Sequence, residues 1–153
     1  MTLDAIDCTI LELLQKQGRT RRNELAEKVG LSLPAASERL RKLEEHGIIQ
    51  GYFAKVDHKK LGKDITAFVT VTVDSSKHFT ALVDHANASE EVLECHAVTG
   101  EGTHILKVRT DTTASLEKLL ARIQSWVGVT KTSTNVVLST QKETFRIKIP
   151  NPS

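Results

Sequence analysis

No apolar run in this sequence approaches the roughly 18 residues that a membrane-spanning helix needs, which excludes a chain held in a bilayer by helices. Cysteine is nearly missing. Cys8 and Cys95 lie too far apart for a CxxC zinc or redox motif. The N-terminus reads Met1-Thr2-Leu3-Asp4, without the basic-then-apolar stretch of a secretory signal. The expected compartment is therefore the cytoplasm, with both thiols reduced. Aromatics are scarce, at one Trp, one Tyr and four Phe, or 4%. Internal repeats and low-complexity tracts are absent, and 39% hydrophobic with 26% charged residues is a globular composition rather than a disordered one. A charge of one sign is lacking too. The net of +2, from 21 bases and 19 acids, argues neither for nor against nucleic acid.

The distribution of that charge is more telling. Residues 1–15 hold three acids and no base. Residues 16–63 hold twelve bases against six acids, a surplus of six, and residues 64–153 hold nine against ten. A basic segment joined to a near-neutral half suggests an anion-binding module followed by a second module. A solvated, Lys/Arg-rich helical surface would look the same on charge alone.

Three helical patterns come first, closed by Gly18, Gly30 and Gly47. Helix 1 starts at Asp4, a capping residue, and Ile6, Ile10, Leu13 and Leu14 form its apolar stripe. Helix 2 runs from about Arg22 to Val29, with Leu25, Ala26 and Val29 inward. Gly30 suits a left-handed helix end, Ser32 a cap for the next helix, and Pro34 a first-turn position. Helix 3 continues to about His46, with Ala36, Leu40 and Leu43 inward. This is a helix-turn-helix. Ile48 to Val56 reads as an extended wing or hinge strand. Alternation from Ile65 to Val73 marks a strand. A helix on Phe79, Leu82, Val83 and Ala86 comes next. Strands at 92–98 and 104–110 meet at the Gly100/Gly102 turn. A helix on Leu116, Leu119, Leu120, Ile123 and Val127 precedes a last strand from Val129 to Leu138, extended toward Ile149, and Pro150 onward reads as a frayed end. The order βαββαβ is ferredoxin-like, so the fold class is α+β. The domain boundaries are 1–50 for the winged helix-turn-helix, 51–63 for the hinge and 64–153 for the ferredoxin-like domain.

Several fragments, in this order and spacing, carry a resemblance. They are Leu3-Asp4-Ala5-Ile6-Asp7, Gly18-Arg19, Glu24-Leu25-Ala26-Glu27-Lys28-Val29-Gly30-Leu31-Ser32, Gly47-Ile48-Ile49-Gln50-Gly51-Tyr52, Val98-Thr99-Gly100 and Gly128-Val129. The chain resembles, over nearly its whole length, the leucine-responsive regulatory protein (Lrp/AsnC) family of transcription regulators. The resemblance implies a winged helix-turn-helix that binds double-stranded DNA, and a ferredoxin-like domain that dimerises, assembles further into a tetramer of dimers and often binds an amino acid. It implies no cofactor and no membrane partner.

With Ala36, Leu40 and Leu43 inward, the opposite face of helix 3 shows Pro34, Ala35, Ser37, Glu38, Arg41 and Lys42. Its N-terminal end is small enough for a major groove. Ser37 and Glu38 are placed to bond base edges, and Arg41 a guanine or a phosphate. Glu38 either accepts from a cytosine amine or orients a neighbouring arginine, or else pairs with Arg41 or Lys42 on a solvated helix. Arg19, Arg21 and Arg22, before helix 2, suit phosphates, and Ser32 lies at the helix start. Arg39 sits on a flank as an ion-pair candidate. The absence of aromatics from this face argues against a single-strand stacking platform. A two-fold dimer would set two such helices about 34–36 Å apart, so the target is expected to be an imperfect palindrome.

Phe68, Val69, Val71, Val98, Ile105, Leu106 and Val108 suit sheet faces against helices and a second subunit, and Trp126 a core or interface. In the family, the effector pocket lies near the turn after Val-Thr-Gly. Here that turn is Thr99-Gly100-Glu101-Gly102-Thr103-His104. The usual pattern has an aromatic where this chain has Gly102 and an aspartate where it has Thr103, so the anchor for an ammonium is missing. Glu101, His104, Thr132 and Thr134 are the substitutes the sequence offers, and a plain hairpin without a ligand is the alternative. No metal site is expected. The six histidines lack metal-binding spacing, and Cys95 and His96 point to opposite faces of a strand. There is no P-loop or GxSxG. Two competing functions are an effector-independent architectural DNA-binding protein and a haem-precursor decarboxylase of the same two-domain shape, for which His96, His104 and Arg109 are the suspects.

Overall fold

The computed structural model describes residues 1–152, which divide into two compact units. The first comprises residues 1–55 together with 142–152, and the second residues 56–141.

The first unit holds α1 (Ala5–Lys16), α2 (Arg22–Val29) and α3 (Leu33–Glu45). Asp4 caps α1 by a reciprocal box. Its carboxylate accepts from Asp7 N at 2.9 Å, while Asp7 Oδ2 accepts from Asp4 N at 3.1 Å. α2 stops at Gly30, whose φ of 70° is left-handed and cheap only for glycine. Ser32 caps α3, its hydroxyl accepting from Ala35 N at 3.3 Å, and Pro34 sits in the first turn, where a missing N–H costs nothing. Ile10, Leu11, Leu25, Leu40 and Leu43 form the core. The stripe on α1 is centred on Ile10 and Leu11 rather than on Ile6, Leu13 and Leu14, which border it.

The segment Ile48 to Val56 is not a strand. Ile48 N and Ile49 N both donate to Leu43 O, at 3.0 and 3.1 Å, so the start of the segment is spent closing α3. Among the described residues, 50–56 have no ladder partner, and an extended segment becomes a strand only when its backbone groups are paired. The tail also departs from expectation. The last strand ends at Val136, and residues 142–150 return to α1. The Gln15 amide donates to Ile147 O at 2.9 Å and accepts from Ile147 N at 2.8 Å. Ile149 packs on the helical core, and Cys8 Sγ lies 3.5 Å from Pro150 O. Pro150 is therefore held rather than frayed.

In the second unit the order is β1 (Ile65–Val73), α4 (Phe79–Ala88), β2 (Val92–Ala97), β3 (His104–Thr110), α5 (Thr113–Ser125) and β4 (Val129–Val136), with a short 3-10 turn at Ser76–His78 before α4. The sheet is antiparallel in the order β2-β3-β1-β4, the ferredoxin-like arrangement. Val69, Val71, Leu106 and Val108 are fully buried with Leu82, Leu119 and Ile123 of the helices. Trp126 joins this core and stacks on His85 with centroids 5.2 Å apart. The register puts Phe68, Thr70, Ile105, Lys107, His96, Ser133 and Asn135 on the other face, away from α4 and α5. That face is thus more polar than the sequence reading supposed, with Phe68 and Ile105 as its apolar members.

Candidate nucleic-acid interface and effector turn

α3 is fixed by its cap, by the apolar row Ala36, Leu40 and Leu43, and by Arg39. The Arg39 guanidinium reaches the Asp4 carboxylate and lies 3.3 Å from Asp7 Oδ1. Asp7 is only 3% exposed, so Arg39 supplies the charge that a buried carboxylate needs. The Arg39 hydrogen bond, followed by that from Asp7 N, holds Asp4 down at about 2 against an ordinary 3.8. Arg39 is therefore a tie between α1 and α3.

The outward face carries one ionic ladder. Arg41 Nε donates to Glu38 Oε2 at 2.9 Å and Nη2 to Glu38 Oε1 at 2.6 Å, a two-pronged pair, while Nη1 meets Glu45. These bonds lower the Glu38 carboxyl and raise Arg41. Glu38 thus pairs with Arg41 and holds its guanidinium in one orientation, as the ion-pair reading of the sequence expected. Sequence reasoning missed Glu45, although its i,i+4 spacing from Arg41 is the signal that finds such pairs.

Pro34, Glu38, Arg41 and Lys42 are exposed along α3, and Ala35 and Ser37 are half-buried on the same helix. Ser32 is exposed, but its hydroxyl is engaged as the cap. Arg19, Arg21 and Arg22 are exposed at the entry to α2, and Arg21 is its N-cap residue without a side-chain capping bond. Tyr52 OH donates to Glu44 at 2.9 Å, and burial followed by that carboxylate pushes the phenol up to about 12.

The effector turn is closed differently from a ligand cradle. Thr103 N donates to Val71 O at 2.8 Å, and Thr103 Oγ1 accepts from Val73 N at 3.1 Å. The same hydroxyl lies 3.2 Å from Val71 O and 2.8 Å from His104 Nδ1. The Thr103 hydroxyl is therefore occupied by the fold. Gly102 has φ 73°, and a Cβ there would stand 2.6 Å from Thr70 Cγ2 and 3.0 Å from Val71 O. An aromatic side chain has no room in this turn. His104 is 3% exposed and faces the helices, edge-on to Phe79 at 4.8 Å. Burial lowers its pKa. Thr132 and Thr134 sit opposite Val71 and Val69, with Thr132 accepting from the Gln124 amide at 3.0 Å. They are separated from β3 by the whole of β1, roughly 10 Å of sheet. Only Thr99, Gly100 and Glu101 remain exposed at the tip. The eight candidate effector residues thus do not line one pocket within the single chain.

The enzyme suspects are also dispersed. His104 lies among the helices. His96, opposite Ile105, and Arg109, opposite Thr66, lie on the face away from α4 and α5. His96 is paired with Glu94 at 2.9 Å, and Arg109 donates to Thr66 Oγ1 at 3.0 Å. Among the described residues no group of three His, Cys, Asp or Glu is placed to hold a metal ion, and no helix is long and apolar enough to cross a membrane.

The chain matches two family models, winged helix-turn-helix DNA-binding over residues 3–50 and the Lrp/AsnC ligand binding domain over residues 66–147. It is 40% identical over 137 residues to the HTH-type transcriptional regulator YezC of Bacillus subtilis (strain 168), covering 90% of this chain and 94% of that protein. To the leucine-responsive regulatory protein of Salmonella typhimurium it is 38% identical over 153 residues, covering 96% and 92%. Among solved structures it is similar to the feast or famine regulatory protein from M. tuberculosis complexed with L-methionine, with TM-score 0.90, 34% identity and coverage of 97% of this chain and 100% of that one.

Proposed function

Because the chain belongs to the Lrp/AsnC family of HTH-type transcriptional regulators, and so acts on DNA rather than as an enzyme, we propose that it recognises an imperfect palindrome as a dimer in the cytoplasm. The observation that carries this reading is the outward face of α3, where Ser37, Glu38, Arg41 and Lys42 stand on a helix capped, stapled and held from behind. Glu38 and Arg41 present one acceptor and one donor group to the major groove, and Pro34 and Ala35 let the helix end approach closely. Arg19, Arg21 and Arg22 take phosphates at the entry to α2. The sheet face with Phe68 and Ile105 supports pairing with a second copy, and in this reading the dimers assemble further into a tetramer of dimers.

The second unit senses an amino acid in this reading. A relative binds L-methionine, and the exposed Gly100 region offers backbone N–H groups to a carboxylate, with Glu101 as the remaining anion for an ammonium. Residues of a second copy complete the site. The decisive experiment is recovery and sequencing of DNA bound by the protein, with and without pooled amino acids. A two-fold symmetric motif is expected, with occupancy that responds to the pool. DNA recovered without sequence preference and without response would instead mark an architectural protein.

A further inference from the structure

We propose that Glu38 and Arg41 read one G·C base pair as a unit, Arg41 taking the guanine and Glu38 the paired cytosine. This rests on the DNA-binding reading above and gives it a base pair and an orientation.

The outward face of α3 is not built for phosphate alone. It sets Glu38 and Glu45 against Arg41 and Lys42, so it carries no net charge. A carboxylate brought up to phosphates weakens binding to any duplex, unless a base edge gives it a proton to accept. The major groove holds two such donors, cytosine N4 and adenine N6. Glu38 and Arg41 lie three residues apart on one helix, so whichever base serves the acid must lie beside one that serves the arginine.

The geometry of the pair makes that choice. Arg41 Nη2 lies 2.6 Å from Glu38 Oε1, and Nε lies 2.9 Å from Oε2. Two donors thus stand beside an acceptor group, one hydrogen bond away. Guanine is the base that presents two acceptors side by side in the major groove, O6 and N7, and a two-pronged arginine matches them. Its partner cytosine presents the N4 amine, which lies one hydrogen bond from that O6. A G·C pair is therefore the complement of the Glu38–Arg41 pair. Exchanging the contacts leaves no group without a partner. The guanidinium passes from Glu38 to the guanine, and the Glu38 oxygen so released accepts from the cytosine. If only one of them passed over, the other would be stranded. On an A·T pair the adenine N6 amine would face the guanidinium, donor against donor. On a C·G pair the two edges are reversed, whereas the helix direction keeps Glu38 N-terminal to Arg41. Glu45 holds Nη1 from the far side until the exchange. All three side chains are about half exposed, so the exchange disturbs no core.

The test uses the full chain and its recovered site, with each base pair of the site replaced in turn by the other three. Affinities are measured at one salt concentration for the wild type, E38A, R41A and E38A/R41A. One G·C position in each half-site should stand out. Any replacement there, inversion to C·G included, should cost the wild type about 5- to 150-fold. E38A and R41A should each lose most of the preference at that same position. The double variant should lose no more of it than either single one, because the two residues act together. Preference at other positions should persist in all four proteins. E38A and R41A relaxing preference at different base pairs would overturn the proposal. So would an E38A that binds every duplex more tightly by one common factor, the behaviour of a solvated ion pair. A wild type that binds no duplex, or binds all of them alike, overturns the sequence-selective reading itself, which separates the two failures.

Discussion

Replacing Arg41 by alanine tests the reading of α3 most directly, because the structure bounds what the change can do. The guanidinium makes two bonds to Glu38 and one contact to Glu45, all on an exposed helix face. A two-pronged contact to a base discriminates by roughly 5- to 150-fold. Leaving two exposed intrahelical partners costs about 2-fold each, so Arg41 delivers its gain net of about 4-fold. The expected loss on the preferred site is therefore on the order of 10-fold. A scrambled duplex should lose less, because phosphates do not reward the two-pronged geometry. The variant also leaves Glu38 and Glu45 without their cation, so a companion E45Q substitution on the wild-type background should raise affinity for both duplexes. The assay is an anisotropy titration against preferred and scrambled duplexes at one fixed salt concentration. Equal losses on the two would make Arg41 a phosphate contact only, and no loss on either would remove α3's outward face from the interface.

The Arg39 tie predicts a pH dependence. Asp4 is depressed to about 2 in the folded chain, so the unfolded chain binds more protons and stability rises with pH. The contribution is complete above the ordinary value of 3.8 and is lost as pH falls from there through about 2. Thermal melts should show wild type and Arg39→Ala converging over that window, and a constant gap would contradict the assignment. Gly102→Ala should destabilise the second unit by about 1–2 kcal/mol from the left-handed backbone alone, plus its clash with Val71 O. A melt unchanged from wild type would show that the turn can rearrange. Ile149→Ala should lower the stability of the helical unit by about 1 kcal/mol, below the usual range for a fully buried isoleucine because Ile149 is only half-buried. Denaturant unfolding followed by a probe in that unit would read the change.

What could be read in advance depended on how local its cause was. α2 and α3 were legible because Gly30, Ser32 and Pro34 each act within a turn of where they stand. The sheet was legible because alternation in β1 and β3 requires one buried face. The segment Ile48 to Val56 looked equally strand-like, but its pairing depends on a partner, and the start of it was claimed by Leu43 O. The return of the tail was hidden because Gln15 and Ile147 lie 132 residues apart and neither has a distinctive motif. Six of the ten candidate DNA residues came from the periodicity of helix 3 and the other four from their place at helix starts, and neither signal shows that Glu45 competes for Arg41. In the effector turn the departures at Gly102 and Thr103 were visible, whereas their shared reason, close approach of the turn to β1, needed coordinates.

The amide of Gln15 holding Ile147 also sets an order of events during synthesis. α1 to α3 leave the ribosome nearly a hundred residues before the tail that completes their core, a delay of roughly 5–20 s at ordinary elongation rates. Over that interval the helical unit lacks Ile149 and both bonds to Gln15. It reaches its final packing only after the whole of the second unit has been made. A prematurely released chain thus carries a helical unit short of Ile149 and of both bonds to Gln15.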